Sequence, residues 1–187
     1  MILRLAAPRL LVPVLIAALL IAAVGAGCTH PSERTGPGVP SPLAAMIAAG
    51  LGDPNPLVRQ AWSMIRADVE QHEETSKQLF ADQGTKFIDA EITALELTDR
   101  FDSIAAGCTI EVYRLEYRMR PNDMSKVMLA GGMSTQDGWL LGVGSMGRPY
   151  LVARVVDGER SYLGTIYPDG EGQGTLDATL ELLNRLD

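Results

Sequence analysis

EVYRLEYRMR, residues 111–120, decides the fold. Tyr113, Leu115, Tyr117 and Met119 fall on one side of an alternating pattern, and Arg114, Glu116, Arg118 and Arg120 fall on the other. A period of two is that of a β-strand with one face on a core and the other in water. Pro121 ends it, because proline has no N–H for the ladder.

The neighbouring segments extend this reading. Upstream, ITALELT (92–98) alternates with Leu95 and Leu97 on one face. Downstream, KVMLAGGM (126–133) and WLLGVG (139–144) are weaker strand candidates. YLVARVV (150–156) and RSYLGTIY (160–167) flank Asp157-Gly158, a pair suited to a two-residue hairpin turn. Such short connections imply antiparallel pairing, since parallel strands need long crossovers.

A helix is expected on either side of these strands. In the segment that opens with DPNPLVRQ and runs to Gly84, Asn55 suits an N-cap and Pro56 the first helical position. Val58, Trp62, Ile65, Val69 and His72 then recur at helical spacing as a core-facing stripe. At the other end TLDATLELLNRLD (175–187) predicts a short closing helix, capped by Thr175 and striped by Leu176, Leu180 and Leu183. The fold class is therefore α+β: one domain over 55–187, an antiparallel sheet of about four to six strands, and an N-terminal and a C-terminal helix packed on one face.

The N-terminal 27 residues read as a secretory leader. Arg4 and Arg9 supply positive charge, and Leu10 to Val24 form an uncharged apolar run interrupted by Pro13. At about 15 residues the run is short for a spanning helix, which takes about 20. VGAGC (24–28) resembles a bacterial lipobox, with Ala26 and Gly27 before Cys28 and Gly25 where leucine is usual. That resemblance implies cleavage before Cys28, lipid on Cys28, and attachment to the membrane from its extracytoplasmic side. Residues 28–54, which open with THPSERTGPGVPSP after the cysteine, read as a Pro/Gly/Ser-rich tether. Within it LAAMIAAGLG (43–52) is apolar and suits a short helix.

Charge narrows the partners. The chain carries −7, and losing a leader with Arg4, Arg9 and no acid brings it to −9. Such a surface argues against nucleic acid, whose phosphates call for Lys and Arg. It gives no general attraction to anionic lipid either, so lipid on Cys28 or a partner would hold the membrane. With Cys28 lipidated, Cys108 has no intramolecular partner and reads as a small packed residue.

Each candidate for chemistry has a plainer counterpart. GVGSMG (142–147) matches the dinucleotide fingerprint, but the segment after it, RPYLVARVV, is strand-like, with no helix to face a pyrophosphate. The glycines are better explained by a bend, with positive φ or a bulge. Ser145 is preceded two residues earlier by Val143 rather than Gly, and both His30 and His72 come before it, against a nucleophile elbow. His72 sits among Glu70, Glu73 and Glu74 without a second histidine, and Glu73 is placed to pair with Lys77. Asp169, Glu171, Gln173 and Asp177 fit positions of a calcium loop, yet Leu180 stands where the bidentate Glu belongs. They form a calcium candidate whose plain counterpart is an acidic turn. Arg114, Arg118 and Arg148 form a candidate anion site, set against cross-strand pairing with Glu111 and Glu116. Trp139 and Tyr150 are the candidates for an exposed contact patch near the bends.

YRLEYR (113–118), LAGGM (129–133) and GSMGRPYL (144–151) together resemble a domain of lipoproteins and other exported proteins of Gram-positive bacteria. The resemblance spans roughly 86–168 and implies export and a small α+β domain, with no catalytic residues to carry over. The function expected is that of a membrane-anchored envelope lipoprotein, non-enzymatic and without a cofactor, binding an envelope protein or component. The alternative is an extracytoplasmic binder of a small molecule or ion.

Overall fold

The computed structural model describes residues 41–103, 107–129, 137–142, 148–169 and 172–186. These belong to one compact unit, Gly38–Asp187. Among the described residues four α-helices and five strands run in the order α1 (Pro42–Leu51), α2 (Pro56–Phe80), β1 (Phe87–Ser103), β2 (Cys108–Pro121), α3 (Met124–Leu129), β3 (Leu140–Leu141), β4 (Tyr150–Val156), β5 (Glu159–Ile166) and α4 (Gln173–Leu186), with a 3-10 turn at Ala81–Gln83 after α2. The sheet is antiparallel throughout, in the order β1-β2-β4-β5, with β3 pairing β2. The α+β architecture expected from the sequence is the one the chain adopts.

β2 is the central strand, and its alternation is as expected: Leu115, Tyr117 and Met119 are buried. The Asp157-Gly158 hairpin also forms, with both residues at positive φ and Val156 paired to Glu159. That is the backbone a two-residue turn between twisted strands requires. β1 differs from a plain strand. Ile88, Thr93 and Thr98 have no partner on β2, so the register shifts at three places. Such bulges twist an edge strand and spoil it as a template for further pairing.

The bulge at Thr98 matters most. Before it, Leu95 and Leu97 lie opposite Leu115 and Tyr113. After it, Asp99 and Phe101 lie opposite Val112 and Ile110, on the other face of the sheet. The Thr98 hydroxyl donates to the Val112 carbonyl at 3.1 Å, which holds the bulge.

Both faces of the sheet carry a core. On one, Leu115, Tyr117, Met119, Leu151 and Ala153 pack with Ile65 and Val69 of α2 and Leu43 of α1. On the other, Ile110, Val112, Tyr150, Val152 and Ile166 pack with Cys108 and with Leu182 of α4. The helices therefore sit on opposite faces, which corrects the expectation of a single covered face. The sequence signal is local: Ile110, Val112 and Val152 are apolar on the face that Arg114, Arg118 and Arg120 leave polar.

Three further corrections concern the helices. The short helix expected at 43–52 forms as α1, but it belongs to the folded unit rather than to a tether over 28–54. Ser41 caps α1 by accepting from the Ala44 N–H at 3.1 Å, and Leu43 enters the core. A Cβ on Gly50 would fall 2.1 Å from the Trp62 ring, so glycine lets α1 lie directly on α2. That contact explains the second correction. α2 buries Leu57, Ala61, Ile65, Val69 and Ser76, while Trp62 of the expected stripe turns toward α1. Third, KVMLAGGM does not begin as a strand, because Met124–Leu129 is the helical turn α3. Ser125 and Lys126 both bond to Asp123 there, a local alternative to the ladder. Among the described residues of WLLGVG, Leu140–Leu141 form strand.

The start of α2 is as read: Asn55 accepts from the Leu57 N–H at 3.0 Å, and Pro56 opens the helix. Its C-terminal half fastens β1. Glu73 accepts from the Phe87 N–H at 3.0 Å and pairs Lys86 at 2.6 Å, in place of the expected Lys77. Ser76 accepts from the buried Thr85 N–H at 2.7 Å.

Candidate functional site

A groove of about 330 Å³ lies between β1 and the first two turns of α4. Its floor is Phe101 and Val112, brought side by side by the Thr98 bulge. Its far wall is Thr175, Leu176 and Thr179. Asp99, Arg100, Gly172 and Gln173 form the rim. A volume of this size lies at the lower end of the range of small-ligand sites.

The expected stripe of α4 is Leu176, Leu180 and Leu183. Of these Leu183 packs partly buried against the core, but the helix buries Thr175, Thr179 and Leu182 and leaves Leu176 38 % and Leu180 46 % exposed. Thr179 can be buried because its hydroxyl donates to the Thr175 carbonyl one turn back, at 2.8 Å. Thr175 lies within α4, which begins at Gln173, so it is not the cap. Leu182 fixes the rotation of the helix: its methyls lie within 3 Å of where a Cβ on Gly164 would stand. Glycine on β5 thus admits Leu182, and the apolar arc of α4 rolls past the sheet toward the groove.

The calcium reading does not fit this geometry. Gln173 and Asp177 belong to the first turns of α4, and the Gln173 amide donates to Asp177 at 2.7 Å. A calcium loop presents these positions from non-helical backbone. Asp169 is exposed ahead of the helix, and Glu171 lies outside the described residues.

The arginine candidates do come together, but each faces carboxylates. Arg114 meets Glu96 at 2.6 Å and Glu116 at 3.7 Å, and Arg148 meets Glu116 at 3.6 Å. Arg118 pairs with Glu91, and Arg120 with Asp89 at 2.9 Å. Trp139 is half-buried beneath this ladder, with the Arg118 and Arg120 guanidiniums 4.4 and 5.1 Å from its ring centre. Cross-strand pairing accounts for the face, each exposed pair contributing at most about 1 kcal/mol. A hollow of about 80 Å³ beside Arg148 is small for a ligand. Tyr150 is not part of a surface patch; it is buried in the core under α4.

At the fingerprint motif, Gly142 stands where a Cβ would fall 1.9 Å from the Tyr117 ring, so close approach explains this glycine. Residues 143–147, Ser145 among them, lie outside the described residues, as does Cys28.

A charged cluster that the sequence reading does not anticipate lies on the α2 face. Glu111 is only 4 % exposed. It accepts from the Tyr113 hydroxyl at 2.7 Å and the Arg160 Nε–H at 2.9 Å, with Arg100 at 3.9 Å. Burial pushes its carboxyl up, but the bonds from Tyr113 and Arg160 and the two cationic charges outweigh it, and the net direction is down. The Tyr113 phenol is pushed up to about 12, first by burial and then by its bond to Glu111. By charge Glu111 groups with the arginines of the polar face, yet period two places it with Tyr113 and Leu115. The Thr98 bulge brings Arg100 to the same side. The cluster is a satisfied ion pair, and it locks the hairpin end of β2 to its neighbours.

Comparison with known protein families, with curated proteins and with solved structures returns no match.

Proposed function

We propose that this chain is a lipid-anchored envelope protein whose α+β domain binds another protein or envelope component and catalyses no reaction. The observation that carries the binding role is the groove beside α4, where Leu176 stands exposed over the floor of Phe101 and Val112 and Leu180 is exposed one turn further along the helix. Large apolar side chains grouped at a concave surface are a mark of interaction sites. The anchoring role is supported by the uncharged run Leu10–Val24, the lipobox-like VGAGC and the likeness of 86–168 to exported domains. Residues 29–40 separate Cys28 from the cap of α1. Fully extended, they span about 40 Å, enough to hold a domain clear of the headgroups.

Metabolic labelling with an alkyne fatty acid in a lipoprotein-processing host tests the anchor. The full chain is expected to take up label and sediment with membranes, and Cys28→Ala to lose the label. An unlabelled wild-type chain would refute the anchored reading.

A second reading, an extracytoplasmic small-molecule binder, is favoured by the groove's volume of about 330 Å³. It predicts a thermal shift with a low-molecular-weight compound. At 100 times the dissociation constant the shift corresponds to about 2.7 kcal/mol.

A further inference from the structure

We infer that the groove between β1 and α4 receives an amphipathic helix of a partner protein, apolar on the face it inserts and basic along its flanks. This rests on the binding-domain reading and names the partner's chemistry. Leu176 lines the groove, and Leu180, one turn on along α4 and likewise exposed, continues it as a ridge. Phe101 and Val112 form the opposing floor. A ridge and a side-chain-lined floor suit the knobs of a helix at i, i+3, i+4 and i+7. They do not suit an added strand, which pairs with a sheet edge, and the near edge, β1, is broken by bulges.

Charge selects the partner's sign. Asp177 and Glu181 follow Leu176 and Leu180 directly and are exposed, Asp99 stands on the opposite rim, and Asp169 precedes the helix. Arg100 is the cation of the rim, and it faces the Glu111 carboxylate. The groove is thus an apolar slot between acidic banks, complementary to a slot-filling segment edged with Lys or Arg. The same banks disfavour an anionic lipid surface.

The test uses the full chain in nanodiscs of zwitterionic lipid, with empty nanodiscs as the blank. The probes are two labelled peptides of about 18 residues, long enough to form an amphipathic helix. They share a leucine stripe, and one carries Lys and the other Glu on the polar face. Anisotropy should show the Leu/Lys peptide binding about tenfold tighter than the Leu/Glu peptide, with the gap closing at high salt. Leu176→Ser with Leu180→Ser should weaken the Leu/Lys peptide about tenfold. Asp177→Lys with Glu181→Lys should reverse the preference. All four side chains are exposed, and unchanged melting of each variant checks the fold.

Equal binding of both peptides, or leucine variants that bind as wild type, would overturn the inference. So would a dimer of the chain alone that the leucine variants dissolve, or anionic vesicles that bind through the two leucines while the peptide does not. The fatty-acid label is read separately. Its presence with no peptide preference removes this inference alone, whereas its absence removes the anchored reading whatever the peptides do.

Discussion

At the scale of single residues, buried charge and close approach set the sharpest constraints. Glu111 is held ionised in a nearly dry position by one phenol and two guanidiniums. Its folded-state pKa lies below the ordinary 4.5, so in acid the unfolded chain binds more protons than the folded one. The stability it contributes is full above about pH 4.5 and is lost as pH falls through the lowered folded value. Glu111→Gln should cost about 1–3 kcal/mol at neutral pH and flatten the acid limb of a stability–pH curve measured by denaturant titration. The glycines give a paired contrast. Gly142→Ala drives a Cβ into the buried Tyr117 ring and should cost about 1–3 kcal/mol. Gly164→Ala meets only the methyl end of Leu182, which can rotate, so its loss in thermal melts should be smaller.

At the scale of elements, bulge and helix roll build the groove. Thr98 is the extra residue that moves Asp99 and Phe101 to the α4 face and Arg100 to the Glu111 face. Deleting Thr98 should join Leu97 to Asp99 in plain alternation, keeping Phe101 on the α4 face and Arg100 opposite Glu111. Hydrogen exchange along residues 99–103 and 108–112 should then stay as protected as in the wild type, whereas an added residue after Thr98 should flip the faces and raise it. α1 is an integral element as well. Leu43→Ala should cost about 2–5 kcal/mol, and a chain beginning at Asp53 should melt well below one beginning at Ser41.

Strand periodicity is the most legible feature of the sequence. β2, the Asp157-Gly158 hairpin, the N-cap of α2 and the existence of α4 stem from local chemistry. The bulges do not, because an extra residue in β1 is defined only by what β2 places opposite it. The roll of α4 is hidden for a similar reason: three leucines outweigh two threonines in any hydropathy pattern. It is set by Gly164 on another strand, which makes room for Leu182. Glu111 is legible in principle, since counting by two from Tyr113 puts it inward. Its charge draws it toward the arginine face instead.

At the scale of the whole molecule, a two-faced sheet divides labour. The α2 face holds the larger core with α1, and the α4 face carries a smaller core, the groove and, beyond it, the arginine–carboxylate ladder around Trp139. The proposed anchor would place this domain at a membrane surface, where a weak groove gains from confinement of both partners. The most direct test of that account is the intact mass of the chain extracted from host membranes. The account predicts a polypeptide beginning at Cys28 and heavier than residues 28–187 by its acyl groups. An unmodified chain, or one cut elsewhere, would contradict it.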